Sequence, residues 1–168
     1  MPMNDHHGIL ERDELLALAL RDLENNRLEE ALRKLKPLIA GDDALIEALP
    51  LAARVYAQLG LTERAQGCYR RYLAARPDAL VECFELGMTH FERGETDEAA
   101  RLWQGVLERS PAHPPTLFYR ALLNARGGRL PDARRDLEVL FNAVPADNLY
   151  VGRGRELLQE IDSQKAGH

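Results

Sequence analysis

Few side chains in this 168-residue chain could do chemistry, and their spacing decides what kind. Two thiols, Cys68 and Cys83, stand outside any Cys-x-x-Cys or Cys/His cluster, so they read as buried, reduced cysteines and not as metal ligands. His6 and His7 could hold a divalent metal adventitiously, but no other ligand is spaced to complete a site. His90 stands alone within a helical pattern and reads as a packing or hydrogen-bonding histidine. Ser110 and Ser163 lack the sharp strand-to-helix context that exposes a nucleophilic serine. The run Gly152–Glu156 (GRGRE) follows no strand pattern, so a phosphate-cradling loop is not expected there. Acidic pairs at helix starts complement the helix dipole and do not form a carboxylate dyad. No catalytic constellation emerges. The chain is expected to be no enzyme and to carry no cofactor and no metal.

The elements that must position these residues are helical. Leu, Ala, Arg and Glu dominate and β-branched residues are scarce. With 45% hydrophobic and 29% charged residues, the chain has the composition of a folded domain with its own core. A net charge of -5 argues against nucleic acid or an anionic membrane as the main partner. The N-terminal stretch has no basic leader region, and acidic residues interrupt its apolar run, so no signal peptide is expected. No apolar run approaches the roughly 18 residues a membrane span requires. The expected address is cytoplasmic. The preference for Arg over Lys suggests a GC-rich bacterial genome.

A period organises the chain. Asn26, Gly60, Gly94 and Gly128 are spaced by 34 residues. So are Ala31, Ala65, Ala99 and Ala133, and so are Ala19, Ala53, Gly87 and Ala121. Pro77, Pro111 and Pro145 form another column, with Asp43 in the first place. Asn and Gly readily take the left-handed conformation that ends a helix, and small residues let paired helices approach. The spacing predicts four helix-turn-helix units, 12–45, 46–79, 80–113 and 114–147. Helices are expected at about 9–25, 28–40, 45–59, 62–75, 78–93, 96–109, 114–126 and 131–143. Pro37 should kink or shorten the second of them. Thr62 and Thr96 are placed as N-caps. A capping helix over 148–163 follows, with Leu149, Val151, Leu157, Leu158 and Ile161 on its apolar face and a first turn weakened by Gly152 and Gly154. Residues 1–8 and 164–168 read as loose tails around a single domain, 9–163.

These residues resemble the tetratricopeptide repeat. In the third unit the pattern is carried by Leu86, Gly87, Phe91, Gly94, Asp97–Ala99, Trp103 and Pro111, and in the second by Ala53, Tyr56, Gly60, Ala65, Tyr69 and Pro77. The outer units depart from it. Asp22 and Asn124 stand where the family has tyrosine, Arg120 where it has leucine, and Asp43 where it has proline. The related RNA-binding pentatricopeptide repeats have a longer period and basic grooves, which this chain lacks. The resemblance implies an all-α fold, a right-handed α-α superhelix with each unit's first helix lining a concave face.

It also implies where a partner would lie. The groove positions include Leu16, Leu20 and Leu23 in the first unit and Arg54 in the second. The third contributes Val81, Phe84, Met88 and Phe91, and the fourth Phe118, Leu122 and Arg126. An apolar stripe with a charged rim fits an amphipathic helix or an extended apolar segment of another protein. Arg54 and Arg126 would hold acidic side chains of that segment. The family's clamp for a chaperone's C-terminal carboxylate needs Lys and Asn where Leu16 and Leu20 stand, so that specificity is not expected. Two other occupants fit the same stripe. One is a terminal segment of this chain or of a second copy, giving a homodimer. The other is the aggregation-prone helix of a secretion or appendage subunit, for which the chain would act as chaperone.

Overall fold

The computed structural model describes the backbone of residues 5–166 and the side chains of residues 11–163. Among the described residues there are nine helices and no strand. They are α1 (Asp5–Glu24), α2 (Leu28–Ile39), α3 (Ala48–Gln58), α4 (Thr62–Ala75), α5 (Leu80–Glu92), α6 (Thr96–Arg109), α7 (Pro114–Arg126), α8 (Leu130–Ala143) and α9 (Leu149–Ala166). The chain divides into two compact units, Met1–Thr89 and His90–His168, with the boundary inside α5.

The 34-residue period is visible in the backbone itself. Asn26, Gly60, Gly94 and Gly128 all have positive φ, 56°, 73°, 76° and 75°. The amide that follows each one donates back across the turn: Arg27 to Asp22, Leu61 to Tyr56, Glu95 to His90 and Arg129 to Asn124, at 2.8–2.9 Å. This is the six-residue closure that satisfies a helix's last carbonyls. The carbonyls of Leu61 and Glu95 then accept from Ala65 and Ala99, both at 3.1 Å, which opens the next helix. Leu61 and Glu95 are therefore the N-caps, one position before the threonines that the sequence suggested, and Thr62 and Thr96 are the first helical residues. Neither cap side chain bonds to the first amides of its helix, because the turn geometry already sets the helix start.

Four more expectations shift at helix ends. First, α1 begins at Asp5, inside the stretch read as a tail. Second, α2 opens in register with α4, α6 and α8 but has 12 residues against their 14. Pro37 lies inside it, and the helix stops at Ile39. Arg71 then caps the released carbonyls, donating to Ile39 at 2.7 Å and Gly41 at 2.8 Å. Third, α3 starts at Ala48 after a turn at 46–47. Fourth, α9 continues to Ala166, beyond the expected end of the capping helix, and residues 167–168 lie outside the described residues.

Within the first unit α2 packs between α1 and α3, and α4 pairs with α3. Ala19, Ala31, Ala53 and Ala65 are fully buried at these crossings, so the small-residue columns mark close helix approach. Leu35, Leu38, Leu49, Val55 and Tyr69 fill the core around them. Within the second unit α7 packs on α6, α8 and α9, and α8 on α9. Its core joins Leu117, Ala121, Ala133, Leu137 and Leu140 to Val151, Leu157 and Ile161 of α9. Gly154 is needed there. A Cβ on it would sit 3.0 Å from Phe141 and 3.1 Å from Leu137, whereas Gly152 faces open space.

The departures from the repeat pattern form buried polar networks. In the first unit Asp22 is buried and paired with Lys34 and, at 2.7 Å, with Arg27. The hydrogen bond from Lys34 leads the effects that hold its carboxyl below the usual aspartate range. In the second unit Asn124 occupies the same repeat position, accepts from Arg129 at 3.0 Å and faces Asp136 at 3.4 Å. Arg120 grips Asp136 with two bonds, 2.8 and 2.5 Å, and donates a third to Gln104 at 2.7 Å. His90, again at that position, is buried and lies 2.5 Å from Glu95.

Candidate functional site

The side chains expected to line a groove fall in both units. In the first, α1 offers Leu16 and Leu23, half-buried, and Leu20, which is 41% exposed. Arg54 on α3 is exposed. On α5, Val81 is 60% exposed, Met88 is half-buried and Phe84 retains only 8% exposure. Phe84 is thus a core side chain that reaches the surface at its edge. Leu20 and Val81 are large apolar groups left exposed, as Leu18, Leu59 and Leu61 of the same unit also are.

In the second unit the structure assembles a connected bed of rings. Phe91 at the end of α5 lies 5.6 Å from Trp103 and 6.1 Å from Tyr119. Tyr119 contacts Phe118 edge-on at 5.2 Å, and Tyr150 of α9 lies 5.9 Å from Phe118 and 6.4 Å from Tyr119. These are the tilted and edge-on arrangements that ring quadrupoles favour. Phe118 is 5% exposed and forms the floor, while Phe91, Tyr119, Tyr150 and Leu122 are half-buried.

Two guanidinium groups cover this bed. Arg126 sits 5.2 Å above the ring of Phe91. Arg153 sits over three rings at once, 4.6 Å from Phe118, 5.5 Å from Tyr119 and 5.8 Å from Tyr150. Such stacking contributes about 0.5–2 kcal/mol per contact, more as water is excluded. Beside Arg126 opens a cleft of about 270 Å³, lined by Phe91, Thr96, Asp97, Leu123 and Arg129 among others.

Of the sequence-derived positions, the structure joins Phe91, Phe118 and Arg126 through Tyr119. Tyr119, Tyr150 and Arg153 were missed. The signal for one of them was present: carrying the 34-residue period past Pro145 puts Arg153 in the column of Tyr119. Among the other candidates, Cys68 is buried as expected and Cys83 is only half-buried, neither is in a disulfide, and burial raises the Cys68 pKa. Among the described residues no His/Cys/Asp/Glu group is arranged to hold a metal ion, and the side chains of His6 and His7 lie outside them. No described helix is long and apolar enough to cross a membrane.

Residues 84–143 match the family model described as tetratricopeptide repeat. The chain's fold class is the all-α solenoid that the period implied. Particular solved structures share that fold. A tetratricopeptide repeat protein from Parabacteroides merdae superposes with a TM-score of 0.81 at 18% identity, over 92% of this chain and 61% of its own length. The chain thus spans less than two thirds of that protein. MamA from Desulfovibrio magneticus gives 0.75 at 18% identity, over 99% of this chain and 98% of the other. YrrB, described as a tetratricopeptide-repeat protein with an unusual peptide-binding site, gives 0.72 at 18% identity, over 82% and 71%.

Proposed function

We propose that the chain is a non-enzymatic interaction module that holds an amphipathic helix or an extended apolar segment of another protein. The observation that carries the reading is the set of apolar side chains left accessible on the first helices of the repeats. In the first unit Leu20, Val81 and Arg54 stand exposed, and in the second Phe91 and Leu122 are half-buried and Arg126 is exposed. Burying such side chains returns about 25 cal/mol per Å² of apolar surface, and the arginines give the segment its orientation. Peptide binding by the similarly folded YrrB supports the same use of the fold. A cytoplasmic setting is part of the proposal.

The test is a Leu20→Asp, Val81→Asp variant. Both side chains are accessible, so the fold should survive with an unchanged helical circular dichroism spectrum. Partners captured from the native cell by the wild type and identified by their peptides should be lost with the variant. Retention of every captured partner would reject the proposal.

A further inference from the structure

We infer that the ring bed of the second unit receives carboxylate side chains, with Arg126 and Arg153 each binding an acidic residue of the partner segment. The inference rests on the interaction reading above and names the chemistry of that partner: apolar side chains for the rings, Asp or Glu for the two arginines.

Three observations carry it. The first is how the guanidinium groups are held. Arg126 lies over Phe91, and Arg153 lies over Phe118, Tyr119 and Tyr150. A guanidinium stacked on a ring keeps its N–H donors in its own plane, directed away from the ring. Its position is fixed while its hydrogen-bonding fork stays available, the arrangement that suits a carboxylate.

The second is what these arginines do not touch. Among the described residues neither Arg126 nor Arg153 makes an ion pair or donates a hydrogen bond, and Asp97, which lines the same cleft as Arg126, does not pair with it. Other arginines of this unit behave differently. Arg120 pairs with Asp136, Arg134 with Asp162 and Arg135 with Asp132. In a chain with 27 acidic and 22 basic residues, carboxylates are plentiful, yet these two cations are left to rings.

The third is continuity. Arg126 contacts Phe91, Phe91 contacts Tyr119, and Tyr119 contacts Arg153. One bed therefore presents both charges, and a segment lying on it meets both. Ring surface beneath each guanidinium limits its hydration, which strengthens a carboxylate contact relative to one in open water. Nucleic acid would offer anions too, but the net charge of -5 opposes it.

The experiment is selection of a displayed 16-residue peptide library on the full-length chain. Leucine is encoded at helical i, i+3, i+4 and i+7 spacing in half the clones, and the other positions are random. On the wild type we expect leucine-patterned clones to be enriched, and Asp or Glu to exceed Asn and Gln by about fivefold or more at particular positions. The Arg126→Gln, Arg153→Gln variant should bring acidic and amide residues to parity. An Arg126→Lys, Arg153→Lys variant keeps charge but loses the planar fork, and should retain part of the preference. Circular dichroism confirms that each variant is folded. Leucine enrichment with no acidic preference, or a preference unchanged in the Gln variant, overturns this inference and leaves the interaction reading standing. No enrichment of either kind overturns both. Light scattering covers the remaining occupant: a wild-type dimer that the Gln variant abolishes would assign the bed to a second copy and overturn the partner assignment.

Discussion

Asp22 and Asp136 are the two buried carboxylates on which local stability turns, and they differ in how they are held. Asp22 is ionised by Lys34 and Arg27, so its folded pKa lies below its unfolded one. A depressed carboxylate stabilises the fold above its unfolded pKa and loses that contribution as pH falls through its folded pKa. Asp22→Asn should therefore lower the urea midpoint near neutral pH, and the gap to wild type should close progressively below about pH 4. A gap that stays constant down to pH 2 would contradict the ion-pair account. Asp136 is gripped by Arg120, whose side chain is 24% exposed. Removing the carboxylate with Asp136→Ala leaves that guanidinium unpaired, and we expect a loss of about 2–4 kcal/mol, a buried-pair value reduced for partial exposure. Replacing both partners with Leu should recover most of the loss, since a dry apolar pair avoids the desolvation penalty. Chemical denaturation of the two single variants and the double variant measures this directly.

At the scale of elements, the glycines of α9 make a paired prediction. Gly152 has open space at its Cβ position, so Gly152→Ala should stabilise the helix by about 0.5–1 kcal/mol through propensity alone. Gly154 meets Phe141, Leu137 and Leu140 within 3.0–3.3 Å. There the same propensity gain is outweighed by overpacking, and Gly154→Ala should cost about 1 kcal/mol net. Guanidinium unfolding curves of the two variants should move in opposite directions. The sequence had assigned both glycines a weakened first turn. It could not separate them, because a helical period shows which face a residue is on and not how closely the neighbour approaches. The same limit explains Thr62 and Thr96, good capping residues displaced by a turn whose backbone already sets the helix start. It also explains Phe84 and Phe118, whose column was legible but whose depth was not.

For the molecule as a whole, the fold was legible because a 34-residue period repeats in glycine, alanine and proline together, and each column has a geometric duty. The ring bed was legible only in part. Phe91, Phe118 and Arg126 could be read from repeat positions, but the stacking of Arg153 depends on α9 meeting α7, a contact with no local signature. A repeat fold also predicts how damage spreads. Stability in such folds is close to a sum of local terms. Trp103, fully buried in the second unit, is the chain's single tryptophan. Asp136→Ala should therefore shift the tryptophan fluorescence midpoint more than the helical signal at 222 nm, while Asp22→Asn should shift the helical signal more than the fluorescence. Equal shifts of both probes for both variants would mean that the chain unfolds as one block.

The turn amides of Arg27, Leu61, Glu95 and Arg129 carry one last consequence. Amides between helices ordinarily exchange with solvent quickly, because nothing in a loop holds them. These four are bonded back into the preceding helix, one in each repeat. Each can exchange only when the closing turn of its own repeat opens. Hydrogen–deuterium exchange at four positions, 34 residues apart, would thus act as four clocks, each timing the opening of one turn and showing where along the chain a bound partner slows it.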